Sequence, residues 1–181
     1  MKSIEEQLAR YKSVHLNQKN INTHFVGVPL IVLAVTLLLS TVIFDIIKIN
    51  LFDRVFSVQV TLAMIIFAGV AVYYFLLHRL LALGMLVYII INLFVANFFI
   101  GSEGIVYIAL GLFVIGWIIQ FLGHHYEKAK PAFINDLSQF IIGPLFLMAE
   151  VYFIIGLDPF LNTRITSLAV EKRKALERHK R

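Results

Sequence analysis

The sequence predicts an all-α fold: a multi-pass transmembrane helical bundle with about four full spans and a broken or re-entrant fifth apolar segment. Three observations predict it. Of its 181 residues, 60% are hydrophobic and 15% are charged, with a mean hydropathy of +0.85; soluble domains average about 45–50% and about 25%. Four long apolar runs, Phe25–Ile49, Ser57–Leu77, Leu80–Ile100 and Ile105–Leu122, each come near the ~20 residues a helix needs to cross the hydrocarbon core. The runs are solidly apolar rather than alternating, which argues against membrane strands.

Taken in order, the chain divides into a polar block (1–24), membrane helices (25–156) and a basic tail (157–181). The length suits one integral-membrane domain over 1–181. The first 24 residues lack the short apolar core and small-residue cleavage site of a removable signal peptide. The connectors between runs are short: Asp53-Arg54 lies in the first, His78-Arg79 forms the second and Gly101–Gly104 the third. The fifth stretch, Leu137–Gly156, carries Gly143-Pro144 and the carboxylate of Glu150. Proline removes a backbone donor and breaks helices, so a break is expected there. An ionisable group within such a stretch is costly and marks Glu150 as a functional candidate. Beyond it, Arg164–Arg181 reads as an amphipathic surface helix with Ile165, Leu168, Ala169 and Leu176 toward lipid.

Charge placement orients the bundle. With the N-terminus cytoplasmic and four spans, 14 of the 16 Lys and Arg fall inside and two, Lys48 and Arg54, outside. That bias follows the positive-inside rule and places both termini in the cytoplasm. The +5 net charge is therefore a topology signal, and a nucleic-acid partner is excluded. With no cysteine in the chain, disulfides, thiolate metal sites and a cysteine nucleophile are excluded as well. Short connectors favour a bacterial inner membrane, or the endoplasmic reticulum in a eukaryote.

This topology brings the start of the first span and the end of the fourth to one membrane face, where the histidines gather: His15 and His24, then His124 and His125. At 100° per residue, Trp117, Gln120, His124 and Glu127 fall within about 80° of one another, and His125 points about 100° away. On an unbroken helix His15 and His24 lie about 180° apart. Either the chain breaks around Asn17, Asn20 and Asn22 and both turn inward, or one alone is a ligand. The break is favoured, because asparagine prefers caps and turns. Imidazoles with a carboxylate and no thiolate suit Fe(II), Zn(II) or Mn(II), and two histidines plus one carboxylate is the pattern of non-haem iron oxygenases.

Two polar blocks carry a family resemblance. One is Tyr11-Lys-x-x-His15-x-Asn17-x-x-Asn20-x-x-x-His24-x-x-x-x-Pro29; the other is Gly116-Trp117-x-x-Gln120-Phe121-x-Gly123-His124 with Glu127-Lys-x-Lys-Pro131-Ala132. With Gly143-Pro144 and Glu150 they resemble the membrane 2-hydroxy-fatty-acid dioxygenase family, which includes a yeast endoplasmic-reticulum member of phytosphingosine breakdown. The resemblance spans nearly the whole chain, through hydrophobicity alone in the middle. It implies Fe(II) as cofactor, O2 as co-substrate, and α-oxidation of a 2-hydroxy fatty acid to the one-carbon-shorter acid and CO2. It places metal ligands at His15, His24 and His124. Glu127 follows His124 by three residues, where the family's carboxylate follows by four: either one residue is missing from a turn, or His125 and Glu127 take shifted roles. Lys128 or Lys130 would meet the substrate carboxylate, and Gln120 and Glu150 would orient the site. The competing classes are a haem-binding electron-transfer anchor with His24 and His124 as axial ligands, and a non-catalytic lipid-binding membrane protein; a Zn(II) hydrolase is a weaker third.

Overall fold

The computed structural model describes residues 3–51, 54–128, 136 and 138–178. Its elements, in chain order, are α1 (Ile4–Lys12), α2 (Gln18–Ser40), β1 (Ile43–Leu51), β2 (Arg54–Thr61), α3 (Leu62–Leu77), α4 (Arg79–Asn97), α5 (Ile105–Glu127), α6 (Gln139–Ile154) and α7 (Pro159–Arg178). Among the described residues, all regular structure is helical apart from one antiparallel hairpin.

Among the described residues, three helices are long and apolar enough to cross a membrane: α2, α4 and α5. The other two apolar helices, α3 and α6, have 16 residues each. At 1.5 Å per residue each reaches about 24 Å, short of the ~30 Å hydrocarbon core. Where four full spans are expected, the described residues hold three candidate spans accompanied by two shorter apolar helices. The exposed surfaces of α3, α4, α5 and α6 are rich in large apolar side chains, such as Leu76, Phe94, Ile118 and Ile154.

Two boundaries differ from the sequence expectation. The first run does not continue as helix to Ile49, and the second does not begin at Ser57. Residues 43–51 pair instead with 54–61, in register from Asp45 opposite Val60 to Leu51 opposite Arg54. Both segments are dense in β-branched residues (Ile43, Ile46, Ile47, Ile49; Val55, Val58, Val60, Thr61), which favour extended backbone over helix. Hydrophobicity alone hid this distinction. The second difference is in α6, which runs unbroken through Gly143-Pro144. Pro144 lies one and a half turns into the helix, and the chain continues past it to Ile154.

The centre of the molecule is the antiparallel pair α2 and α5, held very close by glycine. A Cβ on Gly27 would lie 2.9 Å from the Gly116 carbonyl oxygen, and one on Gly116 3.0 Å from that of Gly27. Two turns beyond Gly116, Gly123 packs directly on Thr23 and Asn20. Small residues at such a stripe let two membrane helices bring their backbones together. A larger apolar core joins α1, α3, α4, α6 and α7 through Leu8, Tyr74, Leu81, Ile142, Phe146 and Ile165. Helix α7 lies along α1, tied by Lys172 to Glu6 at 2.6 Å and Arg164 to Glu5 at 3.6 Å.

Candidate metal centre

The chain reverses between α1 and α2, and His15 sits in that turn. Ser13 caps the end of α1, and Asn17 caps the start of α2 by accepting from the Lys19 N–H at 2.9 Å. The expected break therefore falls at Ser13–Asn17, and an asparagine terminates it. The turn swings His15 back over His24, on the second turn of α2. Close packing of α2 on α5 brings in His124, from the last turn of α5.

The three rings are buried, with exposures of 1%, 1% and 9%. Each offers a nitrogen, and the three atoms lie within 4.8 Å of one another. Hydrogen bonding sets the tautomers of two of them. His15 Nδ1–H donates to the Tyr11 carbonyl at 2.6 Å, and His24 Nδ1–H donates to that of Asn20 at 2.9 Å. Both Nε2 atoms therefore present lone pairs, and they face each other at 3.1 Å. Two lone pairs cannot bond each other; a cation between them resolves the conflict. Two metal–nitrogen bonds of ~2.1 Å at a right angle would set their ends about 3.0 Å apart. His124 Nδ1 is buried and has no hydrogen-bond partner. Burial, reinforced by the neighbouring His24 imidazole, holds His15 well below the usual imidazole range. It is thus the neutral ligand form at pH 7. The donor set fits a borderline divalent ion such as Fe(II), Zn(II) or Cu(II).

Glu127 is at the same helix end but outside this group. Its Oε1 accepts from Leu16 N at 3.2 Å and Arg173 Nη1 at 3.4 Å; its Oε2 accepts from Asn17 N at 2.8 Å and Asn20 Nδ2 at 3.1 Å. Both oxygens are engaged in holding the turn that carries His15. Glu150 is likewise outside the ring cluster: it pairs with Lys12 Nζ at 2.6 Å, and that ammonium lies over Phe146 and Phe153. His125 is exposed beside Tyr126. Lys128 is the exposed C-cap of α5, in a left-handed conformation at φ 55°. Lys130, Pro131 and Ala132 lie outside the described residues. Gln120 is buried beside His124, one turn earlier on α5.

Two features of the surroundings were given no role from sequence, although Tyr11 stands in the first polar block. Tyr11 stacks flat on His15, with ring centroids 4.1 Å apart and planes 6° from parallel; Gly143 admits it, since a Cβ there would lie 3.0 Å from the Tyr11 hydroxyl. Gln139, at the start of α6, is buried at 3% exposure. It closes a cavity of about 70 Å³ whose lining includes His24, His124, Gln120, Trp117 and Tyr11. A second, almost wholly apolar cavity of about 130 Å³ shares the walls Val28 and Pro144 with the first.

Fold and site together define a helical membrane protein with a buried, all-imidazole candidate metal centre beside an apolar cavity. The chain belongs to the Mpo1-like family: the family model described as "2-hydroxy-palmitic acid dioxygenase Mpo1-like" matches residues 1–155. It is 30% identical over 167 residues to 2-hydroxy-palmitic acid dioxygenase MPO1 of Saccharomyces cerevisiae, covering 90% of this chain and 87% of that protein. No solved structure matches significantly. The family expected from the two polar blocks is thereby shown, and membership supports an enzyme role.

Proposed function

We propose that the protein is an Fe(II)-dependent membrane dioxygenase that removes one carbon from a 2-hydroxy fatty acid by α-oxidation. The observation that carries this reading is the convergence of three imidazole nitrogens, two of them lone pairs face to face, on the wall of an apolar cavity. Family membership supplies the substrate class.

The overall reaction balances without an external reductant: R–CHOH–COOH + O2 gives R–COOH + CO2 + H2O. The hydroxylated carbon gives up three electrons and the lost carboxyl carbon one, matching the four that O2 accepts. Iron held by His15, His24 and His124 supplies the O2-activating chemistry. The chain's own groups do the rest. The Tyr11 and Asn20 carbonyls fix the tautomers, so that both Nε2 atoms stay available. Glu127 and Arg173 lock the His15 turn, and Glu150 with Lys12 joins α1 to α6. The apolar cavity adjoining the histidine-lined one holds the start of the acyl chain, and the apolar walls keep water from the reacting carbon. Lys128 is the candidate cation that meets the substrate carboxylate at the membrane surface as it enters.

We further propose that both termini are cytoplasmic and the protein is multi-pass. Packing of α7 along α1 supports placing the two ends on one side, as does the charge asymmetry. The haem-anchor reading has less support: His15 packs 4.5 Å from His24 and 4.9 Å from His124, centroid to centroid. That ring fills the space a macrocycle between the two would need. Anaerobic purification in mild detergent, metal analysis, and addition of O2 and 2-hydroxyhexadecanoic acid test the proposal. About one iron per chain and appearance of the C15 acid are expected; iron-replete protein that yields no C15 acid overturns it.

A further inference from the structure

The first cavity contains two buried amides that the ligand set does not use. Gln120 comes from α5, one turn before His124, and Gln139 from the first turn of α6. Both line the cavity that His24 and His124 border. Their exposures are 5% and 3%. Gln120 Nε2, a donor, and Gln139 Oε1, an acceptor, are each buried with no hydrogen-bond partner. An unsatisfied buried polar group costs about 1–3 kcal/mol, and native proteins retain few of them. Two such groups of opposite hydrogen-bonding sense, on residues from two helices that line one cavity, would both be satisfied by a ligand toward which the amides turn.

Resting on the dioxygenase reading, we infer that Gln120 and Gln139 form the recognition pair for the 2-hydroxy-carboxylate head of the substrate. Gln120 Nε2–H donates to the carboxylate, and Gln139 Oε1 accepts the proton of the 2-hydroxyl. The remaining walls agree with this assignment. Val28, Ile31 and Pro144 offer nothing polar to a head group, and the adjoining apolar cavity takes the first methylenes. An unsubstituted fatty acid would bury Gln139 Oε1 without a partner. The pair therefore selects for the 2-hydroxyl itself, because a site that hydrogen-bonds a substrate hydroxyl rejects the analogue lacking it. Both amides are uncharged, so they orient the head without trapping the carboxylate product as an ion pair.

The test compares direct binding of 2-hydroxyhexadecanoic and hexadecanoic acids to detergent-solubilised protein by equilibrium dialysis, with iron content measured alongside. Wild type should prefer the hydroxy acid by about tenfold, the worth of one neutral hydrogen bond. Gln139→Met, nearly isosteric but unable to accept, should lower that preference to about unity while iron content and hexadecanoic acid affinity hold. Gln120→Met should weaken both acids about equally, since both carry a carboxylate. Gln139→Asn keeps the amide on a shorter arm and guards against a packing defect in the Met variant; it too should lose most of the preference. If both Gln139 variants bind iron and keep the tenfold preference, the inference falls. Turnover is scored separately: wild type that prefers the hydroxy acid but forms no C15 acid leaves the recognition pair standing and removes the dioxygenase reading. Wild type that turns over without discriminating does the reverse.

Discussion

At the scale of single residues, the centre depends on which nitrogen of each imidazole carries a proton. Tyr11 and Asn20 decide this for His15 and His24 through backbone carbonyls, an arrangement that needs no special side chain. Alanine in place of His15, His24 or His124 is expected to remove iron binding, whereas His125→Ala, on the exposed side of α5, should retain it; metal analysis of the four variants decides. The depressed His15 pKa carries a stability consequence. Below about pH 6.5 the unfolded chain takes up a proton that the native, metal-free protein refuses, so stability falls as pH drops, by about 1.4 kcal/mol per unit, until the native pKa is reached. Denaturation of metal-free protein at pH 7.5 and 5.5 should show this fall, and His15→Gln should lessen it. His15, His24 and His124 were legible in sequence because polar residues bordering apolar runs stand out, and Asn17 announces a cap. Gln139 was not, since it lies against a long apolar stretch and its meaning comes from an opposing helix.

At the scale of elements, the α2–α5 interface does the positioning. Gly123 touches Thr23 and Asn20, and Asn20 both anchors His24 and bonds Glu127. Gly123→Ala would push these apart, at a cost of about 1–3 kcal/mol, and thermal unfolding in detergent should register it with a parallel loss of iron. Glu127→Gln keeps the shape but not the charge facing Arg173 and the two backbone N–H groups. Removing such an outer partner typically weakens metal affinity by 10- to 100-fold, and iron titration into metal-free protein measures it. The helix face shared by Trp117, Gln120, His124 and Glu127 was readable from spacing alone, because a 3.6-residue period is rigid. The hairpin at 43–61 was not: its β-branched residues are as apolar as a span, and only strand pairing distinguishes them. Pro144 misled in the opposite direction, since packing against Tyr11 and the neighbouring helices sustains α6 past it.

At the scale of the whole molecule, sidedness is the open quantity. The chain has no cysteine, so single introduced thiols report without background. Gln18→Cys and Ser167→Cys, both at exposed positions, should react with a membrane-impermeant maleimide from the cytoplasmic face. Ser102→Cys, exposed between α4 and α5, should react from the other; labelling of all three from one face would contradict the proposed topology. The separation of the ligands along the chain has a further consequence, for biogenesis. His15 and His24 leave the ribosome nine residues apart, but His124 follows a hundred residues later, after two more helices and the hairpin. A nascent chain thus carries only two of the three donors through most of its synthesis. The three-imidazole cluster is completed when α5 docks on α2, and a stalled or truncated product that ends before α5 never acquires it, nor any metal the proposed centre would hold.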